Sequence, residues 1–172
     1  MSSANVEMTW DQLNAMTEEL TGSAGPGSKD WDPESSHAQR FNRAFIDEFR
    51  KGDGQSPGEF GGVPMLIVNT TGAKSGKRRS IPLACIDVEG RLLVMASMGG
   101  AHVNPPWFYN LKKNPEVTVE MAGETFDARA VLAEGEERDD LYQKVSAIQP
   151  LFAQYQERTE RKIPVFELKR LG

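Results

Sequence analysis

The chain offers very little sulfur or imidazole chemistry. A single cysteine, Cys85, among 172 residues leaves no partner for an intrachain disulfide and fits a reducing compartment. The two histidines, His37 and His102, have no second His, Cys or carboxylate at metal-ligand spacing, so no metal site is expected. No Ser-His-Asp or Cys-His arrangement is evident, no serine sits in a nucleophile-elbow pattern, and Cys85 reads as a small core residue. Cations are outnumbered: 20 Lys and Arg against 25 Asp and Glu leave a net charge of -5. That balance argues against a general nucleic-acid binder, whose affinity rests on excess positive charge. Long apolar runs are missing too. No segment approaches the roughly 18 apolar residues of a membrane-spanning helix, and membrane contact is not expected. The stretch MSSANVEMTWDQLNAM has no cationic start and no apolar run of signal-peptide length, which makes the cytoplasm the expected location.

What is present suits one compact domain with residues to spare. Thr9 with Gln12 forms a capping-box pattern, and Trp10, Leu13, Met16 and Leu20 follow at helical spacing, predicting a helix docked by one apolar stripe. Asp11, Glu18 and Glu19 on its polar side speak against a membrane-resting helix. After a Gly/Ser/Pro-rich loop, Ser36 with Gln39 repeats the capping pattern. Ala38, Phe41, Phe45 and Phe49 then recur on one face of a second helix reaching about Arg50. Residues 1–60 therefore read as a helical extension with linkers, and 61–172 as the main domain.

That domain is rich in short strands. Residues 65–69 form the first, and in RRSIPLACIDV the alternation of Ile81, Leu83 and Cys85 gives a second, ending at a Glu89-Gly90 turn. RLLVMAS completes an antiparallel meander. Pro82 inside the second strand requires an edge or a bulge there. Pro105 and Pro106 suit the start of a helix through WFYNLKKN, stopped at Asn114-Pro115. EVTVEMA and TFDARAVLA read as two strands joined through Gly123-Glu124. Residues 134–155 read as helical, with Leu141, Val145, Ile148 and Phe152 on one face and Pro150 as a kink or break; 163–168 is a sixth strand. The spacings are too short for repeated crossovers, so the expected fold is α+β and mainly β: a small antiparallel barrel.

Two stretches carry candidate chemistry. TGAKSGKRR places Lys74, Lys77, Arg78 and Arg79 around a tight turn, where cations give charge-assisted hydrogen bonds to phosphate or carboxylate. It is not a nucleotide P-loop: three residues separate its glycines and Arg78 follows Lys77. A solvated hairpin tip is the alternative. The second stretch, Ser97-Met98-Gly99-Gly100, leads into the Pro-Pro helix, whose Trp107, Phe108 and Tyr109 either wall a planar ligand or fill the barrel end. For aromatics alone, filling is the stronger reading. With no reactive side chain evident, an enzyme built on this chain takes its hard chemistry from a cofactor.

TTGAKSGKRRSIPL, VMASMGGAHVNPPWFYNLKKNPEVTVE and the late QPLFAQYQERTERKIPVFEL together resemble the deazaflavin-dependent nitroreductase family of actinobacteria, over about residues 63–168. The resemblance implies a six-stranded antiparallel split β-barrel of the FMN-binding type with flanking helices, and coenzyme F-420, a flat 8-hydroxy-5-deazaflavin with a phosphodiester and glutamate tail. By similarity, Lys74, Lys77, Arg78 and Arg79 hold the tail, Pro82 and Leu83 lie beside the ring, and Ala96, Ser97, Met98, Gly99, Trp107 and Asn110 line the other side. The family often has lysine where Met98 stands and another cation where Ala73 stands, and family tyrosines appear here as Gln149 and Phe152. Tyr155 matches a substrate-facing family tyrosine, which makes it the candidate proton donor. The implied activity is hydride transfer from the reduced deazaflavin to a small-molecule acceptor: a conjugated enone or lactone, a quinone or a nitroaromatic. The resemblance leaves room for a homodimer. The rival readings are a non-catalytic deazaflavin carrier and an FMN- or haem-binding split barrel.

Overall fold

The computed structural model describes residues 36–52 and 64–171. The helix expected around Trp10 and Leu13, and most of both Gly-rich connections, lie outside the described residues. Eleven elements follow in order. They are α1 (Ser36–Lys51), β1 (Met65–Thr71), β2 (Arg78–Val88), β3 (Arg91–Met95), a single-turn 3-10 helix (Met98–Gly100), α2 (Pro106–Lys113), β4 (Glu116–Met121), β5 (Glu124–Leu132), α3 (Gly135–Ile148), α4 (Leu151–Glu157) and β6 (Val165–Arg170).

The strands close into a barrel in the order β1-β2-β3-β6-β5-β4, every neighbour antiparallel. Period-two alternation sorts their side chains into two cores. Leu66, Val68, Cys85, Val94, Val119, Ala128 and Phe166 fill the interior, joined by Trp107, Phe108 and Leu111 from α2. Ile86, Val88, Leu93, Met95 and Val165 point outward and are covered by α3 and α4 through Leu141, Tyr142, Val145, Phe152 and Tyr155. Burial pushes the Cys85 thiol up to about 12, so it stays protonated and inert in the interior.

Helix α1 docks elsewhere on the barrel, burying Phe45, Ile46 and Phe49. Arg50 fixes its end by a bidentate pair to Glu120, at 3.0 and 2.9 Å, and Asn69 donates to the same carboxylate at 2.9 Å. The hydrogen bond from Arg50 holds the Glu120 carboxyl below its usual range.

Three local expectations need correction. The β4–β5 turn is Ala122-Gly123, both at positive φ (50° and 77°), with Glu124 already in β5; a two-residue hairpin turn of this hand needs positive φ at both central positions. The break expected at Pro150 is present and separates two helices, but Ile148 is 57% exposed rather than on the buried face, because α3 ends there and Phe152 belongs to α4. The sixth strand begins at Val165, not 163, since Pro164 has no N–H to give a ladder.

Candidate active site

Pro82 locates the site. The β1–β2 register runs unbroken from Met65↔Ala84 to Thr71↔Arg78, and Cys85 N–H donates to Pro64 on the β1 side. In an antiparallel strand alternate residues turn both backbone groups the same way, so Leu83, Ile81 and Arg79 address β1 while Ala84, Pro82 and Ser80 address the opposite side. There β3 pairs only with Cys85 to Val88. The first half of β2 is thus a free edge inside a closed barrel, and the missing N–H of Pro82 falls on that free side. The edge expected from the sequence exists for half a strand. β3 leaves the sheet beside it into Ser97 and the Met98–Gly100 turn, so the two candidate stretches of the sequence flank one gap in the strand pairing.

Side-chain faces follow from the same register. Leu83 stands opposite Leu66 and Arg79 opposite Thr70, both on the interior side; Pro82 stands opposite Ile67 on the outer side. Pro82 and Leu83 therefore do not share a face. Thr70 is 1% exposed, and its Oγ1 has no hydrogen-bond partner among the described residues. An orphaned hydroxyl costs about 1–3 kcal/mol, and this one lies beside Arg79 at the barrel mouth.

The basic turn is held rigidly. Gly72 N–H donates to Lys77 O at 2.8 Å and Gly76 N–H to Gly72 O at 3.0 Å. From α2, Asn110 Oδ1 accepts the Ala73 N–H at 2.8 Å and Lys113 Nζ donates to Ala73 O at 2.7 Å, while the adjoining Asn114 donates to Thr71 O at 3.3 Å. Asn110 is buried and committed to the turn, which makes it a brace. Lys74, Lys77, Arg78 and Arg79 are exposed, and no ion pair engages them among the described residues. Arg78 lies on the outer face, within 3.4 Å of the Thr71 and Thr118 hydroxyls.

On the other side of the gap, Ala96 and Ser97 are buried, Met98 is half-buried at φ 45°, and Gly100 has φ 83°. Trp107 is 7% exposed inside the barrel against Phe166 at 6.1 Å, so it plugs the interior; Tyr109 is 53% exposed, edge-on to Phe108 at 5.1 Å. Tyr155 is 2% exposed, in the outer core edge-to-face with Phe152 at 5.9 Å. It lies on the helix that packs against the Met98–Gly100 turn, whose Gly100 comes close to Tyr155 O. Sequence reasoning missed Arg161, which donates to Ala101 O (2.7 Å), Asn104 Oδ1 (2.8 Å) and Ser97 O (3.0 Å); a lone arginine in RTERKIP carries no signal of these partners.

The family model for the F420H(2)-dependent quinone reductase matches residues 41–170. The chain belongs to this family. A Mycobacterium tuberculosis protein named F420H(2)-dependent quinone reductase is 34% identical over 113 residues, 64% of this chain and 76% of that protein. A solved F420-H2 dependent reductase (FDR-A) is 39% identical with a TM-score of 0.56, covering 62% of this chain and 94% of that one. A solved domain-swapped dimer is 33% identical with a TM-score of 0.58, covering 77% and 99%. As a family member the chain is a deazaflavin-dependent oxidoreductase, its cofactor is coenzyme F-420, and its barrel is the split barrel expected from the resemblance. Among the described residues no helix is long and apolar enough to cross a membrane.

Proposed function

We propose that the gap along the free half of β2 holds the deazaflavin, with its anionic tail on the basic turn, and that a quinone is the acceptor. The observation that carries this reading is the conjunction at the barrel mouth, among the described residues, of cations without ion pairs and the orphaned Thr70 hydroxyl. A polyanion neutralises the former, and a ligand oxygen or bound water satisfies the latter. Lys74, Lys77 and Arg79 hold the tail, and Arg78 adds long-range charge from the outer face. Ser80, Pro82 and Ala84 offer backbone groups to the polar edge of the ring, and Leu83 offers apolar contact. Ala96 and Ser97 frame the opposite side with Met98 and Gly99, Trp107 is the floor that keeps water out of the barrel, and Asn110 sets the turn.

When bound, the reduced deazaflavin supplies a hydride. The chain contributes orientation of donor against acceptor and exclusion of water. The family's name and that of a 34% identical relative are what favour a quinone as the acceptor. In the cytoplasm such a reaction removes quinones by two-electron reduction. The test is reoxidation of reduced coenzyme by purified protein against quinones, enones, lactones and nitroaromatics: turnover is expected to be fastest with quinones, and none with any quinone would overturn the acceptor assignment. Parallel titration with FMN is expected to show no binding in the same concentration range.

On this reading Tyr155, packed against Phe152 on the helix that supports the Met98–Gly100 turn, is a positioning residue. Tyr155→Phe keeps the ring, so kcat with a quinone is expected to stay within about threefold of wild type, well short of the 10²-fold or greater loss typical of a missing general acid. A loss of that larger size would restore Tyr155 as the proton donor.

A further inference from the structure

The loop from Ser97 to Asn104 carries unusual backbone. Met98, not a glycine, sits at φ 45°, and Gly100 two residues later at φ 83°, conformations that L side chains avoid and that persist only where the surroundings enforce them. Little of that enforcement comes from the loop itself, whose internal bonds are Gly100 N–H to Ser97 O at 2.9 Å and Ala101 N–H to Met98 O at 3.2 Å. From outside, His102 Nδ1 meets Thr159 Oγ1 at 3.4 Å and Gly100 packs on α4, but the contact that reaches the loop's start, middle and end is Arg161, with one planar guanidinium. All three acceptors are neutral, and no carboxylate pairs with Arg161 among the described residues. The cation is committed to loop geometry. Its three N–H directions are fixed relative to one another, which an ammonium group cannot imitate.

We infer that Arg161 is a positioning residue for the reaction: it holds the Ser97–Asn104 loop in the shape that forms one wall of the coenzyme gap, without touching the coenzyme. The inference rests on the gap proposed above. A neighbouring arginine supplies the control. Arg138 donates from Nε and Nη2 to Ile163 O at 2.9 and 2.8 Å and from Nη2 to Gln156 Oε1 at 2.7 Å, a comparable clamp on the segment before β6 that has no bond to the loop and meets Arg161 through its backbone, Gln156 Nε2 donating to Arg161 O at 2.7 Å.

The experiment measures calorimetric Kd for oxidised coenzyme F-420, unfolding midpoint, and kcat and KM with a quinone. The variants are Arg161→Ala, Arg161→Lys, Asn104→Ala, Arg138→Ala and Arg79→Ala, each titrated well below its midpoint. Arg161→Ala and Arg161→Lys are expected to weaken coenzyme binding about tenfold or more and to lower kcat. Asn104→Ala, which removes one acceptor and leaves the core intact, is expected to weaken it about threefold. Arg138→Ala is expected to lower the midpoint as much as Arg161→Ala yet weaken coenzyme binding less than Arg161→Lys does. Should Arg161→Lys and Asn104→Ala both bind normally while Arg79→Ala does not, Arg161 is merely structural and the inference fails with the gap intact. Should Arg79→Ala also bind normally, the gap itself is misplaced. If Arg161→Ala does not fold, the Lys and Asn104 variants decide.

Discussion

Gly100→Ala is expected to lower the unfolding midpoint by roughly 5–15 °C and to abolish measurable coenzyme binding. A Cβ built on Gly100 would lie 2.7 Å from Tyr155 O, 2.8 Å from Arg158 Cβ and 3.0 Å from Arg158 Cδ. The carbonyl cannot step aside freely, because it accepts the Arg158 N–H at 3.2 Å where α4 ends. Overpacking costs about 1–3 kcal/mol, and left-handed backbone adds about 1–2 kcal/mol for alanine. For a chain of this size each kcal/mol moves the midpoint by about 2–4 °C. The only relief is for the Met98–Gly100 turn to lift away from α4, which moves the wall of the gap. Gly90→Ala is the matched control: φ is 84° there too, but nothing lies within 4 Å of the added carbon, so it bears the backbone cost alone. Thermal unfolding and calorimetry on both variants settle the matter. If Gly100→Ala melts and binds like Gly90→Ala, the turn does not depend on its contact with α4.

Arg79→Ala is expected to weaken coenzyme binding about 10- to 100-fold, the effect of losing one or two charge-assisted hydrogen bonds. The structure separates it from its neighbour. Arg79 stands opposite Thr70 on the side facing the mouth, whereas Arg78 stands opposite Thr71 with its guanidinium drawn to two outer-face hydroxyls. Arg78→Ala should therefore lose no more than about threefold, mostly through screened charge. The difference between the two is expected to shrink as the glutamate tail is shortened and as salt is raised. Equal loss for full-length and tailless coenzyme would remove Arg79 from the tail site, and equal loss for both arginines would show that net charge matters and face does not.

Much of this architecture was legible because the signals are local. Alternation in Ile81, Leu83 and Cys85, the Pro-Pro start of α2 and the break at Pro150 follow from dihedral limits and the strand repeat, which act within a few residues. Ile148 was misread because periodicity cannot say where a helix stops being covered. The basic turn was visible as a cluster of charge in an acidic chain, yet nothing in TGAKSGKRR distinguishes Arg78 from Arg79. The aromatic run after Pro106 was ambiguous by composition, and packing decided it: Trp107 and Phe108 went into the barrel and Tyr109 into solvent. Tyr155, matched by resemblance to a substrate-facing position, is buried in the outer core against Phe152, a placement that periodicity could not give because a helical residue's surroundings depend on what the helix packs against.

The sequence by itself determined six short strands, the helix starts and stops, the basic turn and the Gly-Gly loop as the two candidate stretches, and through resemblance the family and its flat, anionic coenzyme. Tertiary structure alone decided that half of β2 is an open edge, that Thr70 is left with an orphaned hydroxyl beside Arg79, and that Arg161 ties together both ends of a loop some sixty residues away in the chain. The physical reason is range. Propensity and capping act between near neighbours, whereas which backbone groups stay unpaired depends on barrel closure, and closure is fixed by registers between strands that no local pattern specifies.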